Sequence, residues 1–170
     1  MAWSHSVNIL TVNLLCSTLI FWVAARLYVL PTLETRTPQT ILLPILPLHA
    51  FRHLGLMFLA PGATYPGIPA AFAYPAALGD LCAALLAVAA IPAVARGGGR
   101  LLVWIFNVAG TLDLLAAIAL ATLYGAAASM GPAYWIPAFW VPALLVTHYI
   151  AFVVVWKHWT GAAQNVLSRN

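Results

Sequence analysis

Residues 69–124 read PAAFAYPAALGDLCAALLAVAAIPAVARGGGRLLVWIFNVAGTLDLLAAIALATLY. Two apolar runs, Pro69–Ala95 and Leu101–Tyr124, flank the basic turn Arg96-Gly97-Gly98-Gly99-Arg100. Each run is longer than the roughly 20 apolar residues that carry an α-helix across a bilayer. The glycines permit a tight reversal, and no Gly-Lys-Ser/Thr follows them, so the turn is not a phosphate-binding loop. The segment therefore predicts a helical hairpin that crosses a membrane twice, with two arginines at its turn.

Three more apolar runs surround it, at roughly Val7–Leu30, Ile41–Ala60 and Ala133–Trp156. Arg26 and Arg36 flank the first connection, and Lys157 and Arg169 follow the last run. The second connection, Pro61–Ile68, and the fourth, Gly125–Pro132, contain no Lys or Arg. Five spans bring all the basic regions to one side, which the positive-inside rule makes cytoplasmic. The expectation is an all-α polytopic membrane protein: a five-transmembrane-helix bundle with its N-terminus outside and its C-terminus cytoplasmic. It would form a single integral membrane domain over residues 1–170, in a bacterial inner (plasma) membrane.

Composition agrees. The chain is 64% hydrophobic and 6% charged, with mean hydropathy +0.98, whereas a soluble domain carries about 25% charged residues. The formal charge of +4 suits contact with anionic lipid headgroups. The basic residues are scattered, so nucleic acid is not an expected partner; the bilayer is, along with a homo-oligomer or a larger membrane complex. Met1–Ser6 lacks a positive leader region, so no cleaved signal peptide is expected. Cys16 and Cys82 lie in separate apolar runs without C-x-x-C spacing and read as buried small hydrophobes.

Smaller features fit helices in lipid. Asn13 and Ser17 share one face of the first span, with Asn8 and Thr11 nearer its end, and suit hydrogen bonds to neighbouring helices or headgroups. Pro44 falls near the start of the second span, and Pro47 is expected to kink it just before His49. Gly79, Ala83 and Ala87 form a small-residue face for close helix approach. The many alanines of the third and fourth spans favour close packing over a wide cavity. Tyr134, Trp135 and Trp140 suit one aromatic belt and Trp156 and Trp159 another. Gly161–Asn170 reads as a short polar tail.

Chemistry concentrates in His49, Arg52, His53, Asp80, Asp113 and His148. His49, Arg52 and His53 are spaced i, i+3, i+4, one face of an α-helix. Counted at ~1.5 Å per residue, His49, Arg52, Asp80 and Asp113 lie roughly 12 to 18 Å from the uncharged end of their spans, and His148 about one turn deeper. Asn107, Gly110, Asp113 and Ala117 add a small or polar stripe to the fourth span. Ionisable groups inside a membrane turn toward the bundle interior, so one shared site is expected. One guanidinium faces two carboxylates there. The second acid needs a proton, a protonated histidine or a metal, which predicts a cluster that titrates near neutral pH.

Several ligands suit such a site. His49, His53 and His148 are candidate axial ligands for haem b. His49 and His53 with a carboxylate could hold a metal ion, and Arg52 or a histidine could meet the head of a quinone or carotenoid. The leading expectation is a small membrane protein whose buried His/Arg/Asp cluster binds a haem, a metal or an apolar redox ligand, as an accessory subunit of a membrane complex. His49, His53, His148 and Arg52 would bind the ligand, within a charge cluster completed by Asp80, Asp113 and Asn107. One alternative is a proton-coupled or ion-transporting component. Another is a structural subunit whose polar cluster only fixes helix packing. Catalysis on a lipid lacks a recognised nucleophile arrangement, and Thr111 and Thr147 read as helix back-bonding hydroxyls.

The run Pro75-Ala-Ala-Leu-Gly-Asp-Leu, followed by an Ala/Leu-rich helix and a basic turn, resembles the DoxX-type small membrane proteins over about one helix. That resemblance implies a four-helix protein with an acidic residue after glycine. Asp80 stands where glutamate is more usual, and the fifth span and His49–His53 depart from the pattern. No site residue follows from it.

Overall fold

The computed structural model describes residues 9–159. Met1–Asn8, Arg169 and the Gly161–Asn170 tail lie outside the described residues. Within them the chain is all-helical, with no strand. Five helices are long and apolar enough to cross a membrane: Ile9–Thr32, Pro38–Leu59, Ala70–Ala95, Arg100–Leu123 and Gly131–Lys157. These bounds follow the apolar runs to within about two or three residues, because side-chain hydropathy and helix length obey the same constraint. In lipid a backbone must satisfy its own polar groups, and a helix does so.

Local sequence explains the helix ends. Thr37 caps the second span by accepting a bond from the Thr40 amide at 3.4 Å, and Pro38 occupies the first turn, where its missing N–H is harmless. Gly99, left-handed at φ 80°, starts the fourth span directly after the Arg96 turn. The second and fourth connections are clasped together. The Tyr65 amide donates to the Ser129 carbonyl at 3.0 Å, and the Ala133 amide to the Ala63 carbonyl at 2.9 Å.

The third span packs between the second and fourth, and the fifth packs against the first, second and fourth. The first span is peripheral: its most apolar window is only 6% buried, against 28–56% for the other four. Two apolar clusters fill the bundle. At the basic end, Leu42, Leu46, Ala87, Val94, Val103 and Val154 form one. At the uncharged end, Phe58, Phe72, Ala76, Leu114, Met130 and Leu144 form the other. The polar residues lie between them.

Two expectations are corrected. Cys16 and Cys82 are exposed on the outer surface of their helices, so they are not core residues. His53 does not share the face of His49 and Arg52. From Phe51 to Leu59 the second span tightens into a 3-10 helix, in which every third side chain is eclipsed. Arg52, Gly55 and Phe58 are therefore the buried row. His53 is turned out to the surface, its Nδ1 at 3.0 Å from the Ala50 carbonyl. The i+4 rule that placed it inward holds only for an α-helix.

Candidate functional site

Arg52 is the centre of the polar layer and is 1% exposed. Its Nε donates to Asp80 Oδ1 at 2.7 Å, and one terminal nitrogen, Nη2, donates to Asp113 Oδ2. The other, Nη1, reaches the Gly110 carbonyl at 3.1 Å and His148 Nε2 at 3.2 Å. One side chain of the second span thus ties together the third, fourth and fifth. The sequence left open which aspartate pairs with Arg52, and the structure brings both to it. A guanidinium is rigid, planar and permanently charged, so it suits this two-sided role better than lysine would.

Glycines make room for these charges. A Cβ on Gly55 would collide with the Asp80 carboxylate, and one on Gly79 with that of Asp113. At Gly110 a Cβ would come within 2.7 Å of both Arg52 Nη1 and His148 Cε1. Gly79 therefore serves as a seat for Asp113 as well as a helix-packing residue. Gly55 went unnoticed in the sequence. Its signal was its position three residues beyond Arg52, on the eclipsed row of a 3-10 helix.

The histidines form a second tier. A guanidinium only donates, so His148 Nε2 is an acceptor and Nδ1 carries the proton. Nδ1 donates to Asn107 Oδ1 at 2.6 Å, and Asn107 Nδ2 returns a bond to the His148 carbonyl at 3.2 Å. Thr147 directs its hydroxyl at the Ala143 carbonyl, 2.9 Å away, and meets His49 Nε2 at 2.9 Å. His49 Nε2 is then the donor, and its buried Nδ1 meets no hydrogen-bond partner among the described residues. The His49 and His148 rings lie 4.2 Å apart, each against Phe106 at 5.0 and 5.2 Å. That spacing leaves no room for a porphyrin between the two imidazoles. Among the described residues, no group of three or more His, Cys, Asp or Glu is placed to hold a metal ion.

A cleft of about 320 Å³ opens beside this layer at the uncharged end. Leu14, Phe72, Leu114, Ala117 and Ile136 contribute to its apolar walls, and Asp80 is its only charged lining residue among the described residues. The rim includes Leu15, 62% exposed, and Thr122, also exposed. These belong to the first and fourth spans, so the cleft opens sideways between them. The alanines read as signs of close packing act differently here. Ala76, Ala117 and Ala121 line open space, because the first span packs on the fifth rather than on the fourth.

Residues 9–156 match the family described as "Domain of unknown function (DUF8737)". The chain belongs to this family. The match covers all five spans and the whole polar layer. No curated protein and no solved structure matches the chain.

Proposed function

We propose that this protein binds an apolar redox ligand of quinone type within a bacterial inner membrane, as an accessory subunit of a larger membrane complex. Its N-terminus would lie outside and its C-terminus in the cytoplasm, as the basic connections require. The carrying observation is the sideways-opening apolar cleft that ends at Asp80, whose carboxylate is wired through Arg52 to Asp113 and His148. Ligand pockets are mostly apolar with a few convergent polar groups, and this cleft has that character. Of the three ligand classes open at the sequence level, the geometry favours this one over haem or a metal ion. His148 Nε2, which a haem iron would need, already accepts from Arg52.

The test is gentle purification from the native membrane, followed by an absorption spectrum, metal analysis and organic extraction. The expected result is an extractable quinone-type ultraviolet absorbance that is lost in Ala117→Phe while helix content is kept. A Soret band that shifts on reduction would overturn the proposal in favour of haem. A stoichiometric metal would do so in favour of a metal site.

One observation supports a runner-up, a proton-conducting component. The side chains of Asp80 and Asp113 remain 10% and 17% exposed on either side of a fully buried guanidinium, as two stations of a relay would be. Proton flux in liposomes that is abolished by Asp113→Asn, in protein free of extractable ligand, would favour that reading.

A further inference from the structure

We infer that the cleft recognises its ligand by the ligand's own hydrogen-bond donors, so that a hydroquinone binds in preference to the corresponding quinone. The inference rests on the proposed quinone-type site and adds which redox form it takes.

The hydrogen-bond donors around the cleft are already engaged within the protein. Arg52 has a fully buried side chain and is not part of the cleft lining, and four of its five N–H groups donate within the protein, to Asp80, Asp113, the Gly110 carbonyl and His148. His148 gives its proton to Asn107, whose amide bonds back to the His148 carbonyl. His49 donates to Thr147, whose hydroxyl is directed at the backbone. Of the two threonines that line the cleft, Thr122 donates to the Ile118 carbonyl at 2.9 Å, and Thr11 stands in the first turn of the first span, at the uncharged end. What remains facing the cleft at its inner end is the carboxylate of Asp80, a group that accepts when ionised.

The charge count points the same way. Asp80 and Asp113 share one guanidinium, so the layer has one acid in excess. A buried charge without its counterpart is costly. A head group that brings O–H groups hydrogen-bonds to an ionised Asp80, whereas one that brings only carbonyl oxygens sets acceptor against acceptor. The two forms of one ligand have the same ring and the same tail, so the apolar walls do not discriminate between them, and the choice falls to Asp80.

The test is an anaerobic titration of the purified full chain in nanodiscs with decylhydroquinone and, separately, with decylquinone. The hydroquinone should bind roughly tenfold to a hundredfold more tightly, the worth of one hydrogen bond to a charged acceptor. Asp80→Asn should narrow that ratio toward one. Should this variant fail to fold, the wild-type ratio alone decides the matter. Ala117→Phe, which leaves the charged layer untouched, should weaken both forms equally. Equal affinities, or tighter binding of the quinone, would overturn the inference while leaving the site as a quinone-type binder. Failure of the wild-type chain to bind either form would overturn the proposed function and the inference with it.

Discussion

The two ends of the bundle are built from similar residues and do opposite things. At the basic end, Ala87, Ala90, Val94 and Val103 are completely buried and the helices close on one another. At the uncharged end, Ala76, Ala117 and Ala121 line a cleft. Small side chains let helices approach, but they fill no volume where a partner helix stays away. The difference lies in the partner: the third span is sandwiched between the second and fourth, whereas the first span packs on the fifth. The same residue type therefore means packing at one end and space at the other, and the Arg52 layer divides the two regions.

The largest effect should come from the dividing layer itself. Arg52→Gln leaves the buried Asp80 and the partly buried Asp113 carboxylates without their counter-ion and should cost about 3–5 kcal/mol, measured by thermal or denaturant unfolding in a matched lipid environment. Asp113→Asn should also destabilise. The double variant should lose less than the sum, because both changes remove the same contact. Strict additivity would mean that the pair is not energetically coupled.

The next effect tests the two ends against each other. Ala87→Leu forces a larger side chain into a site with no exposure and should cost about 1–3 kcal/mol. Ala117→Leu grows into the cleft and should change stability by less than about 0.5 kcal/mol, as changes away from packed features usually do. Equal costs would show that the cleft is as tightly filled as the basic end. The smallest effect should be that of His53→Ala, within about 0.5 kcal/mol, with ligand binding retained, since the side chain faces outward. Loss of binding in this variant would restore the α-helical face that the spacing suggested.

Much of this was legible in the sequence. The five helices followed from hydropathy and length, and their alternating basic connections predicted one charged end. Residues at similar calculated depth, Arg52, Asp80 and Asp113, do meet, and His148 joins them from about one turn deeper, because a charge in an apolar span has few places to go except toward another charge. Asn107 joined them through the polar stripe of its helix. His53 was misplaced because nothing in the composition of Phe51–Leu59 announces a nine-residue 3-10 helix, and a change from 3.6 to 3.0 residues per turn moves an i+4 neighbour to another face. The cysteines were misplaced because a small apolar side chain is as stable against lipid as against protein. The cleft was illegible for a further reason: it depends on which spans are neighbours, which hydropathy does not encode.

The most direct test of the account is photolabelling of the protein in nanodiscs with a diazirine-tailed hydroquinone, followed by peptide mapping. The account predicts labels concentrated on cleft residues such as Leu14, Leu114 and Ala117, and displaced by excess decylhydroquinone. Labels spread evenly over outward-facing residues such as Leu101 and Leu112, with no displacement, would contradict it.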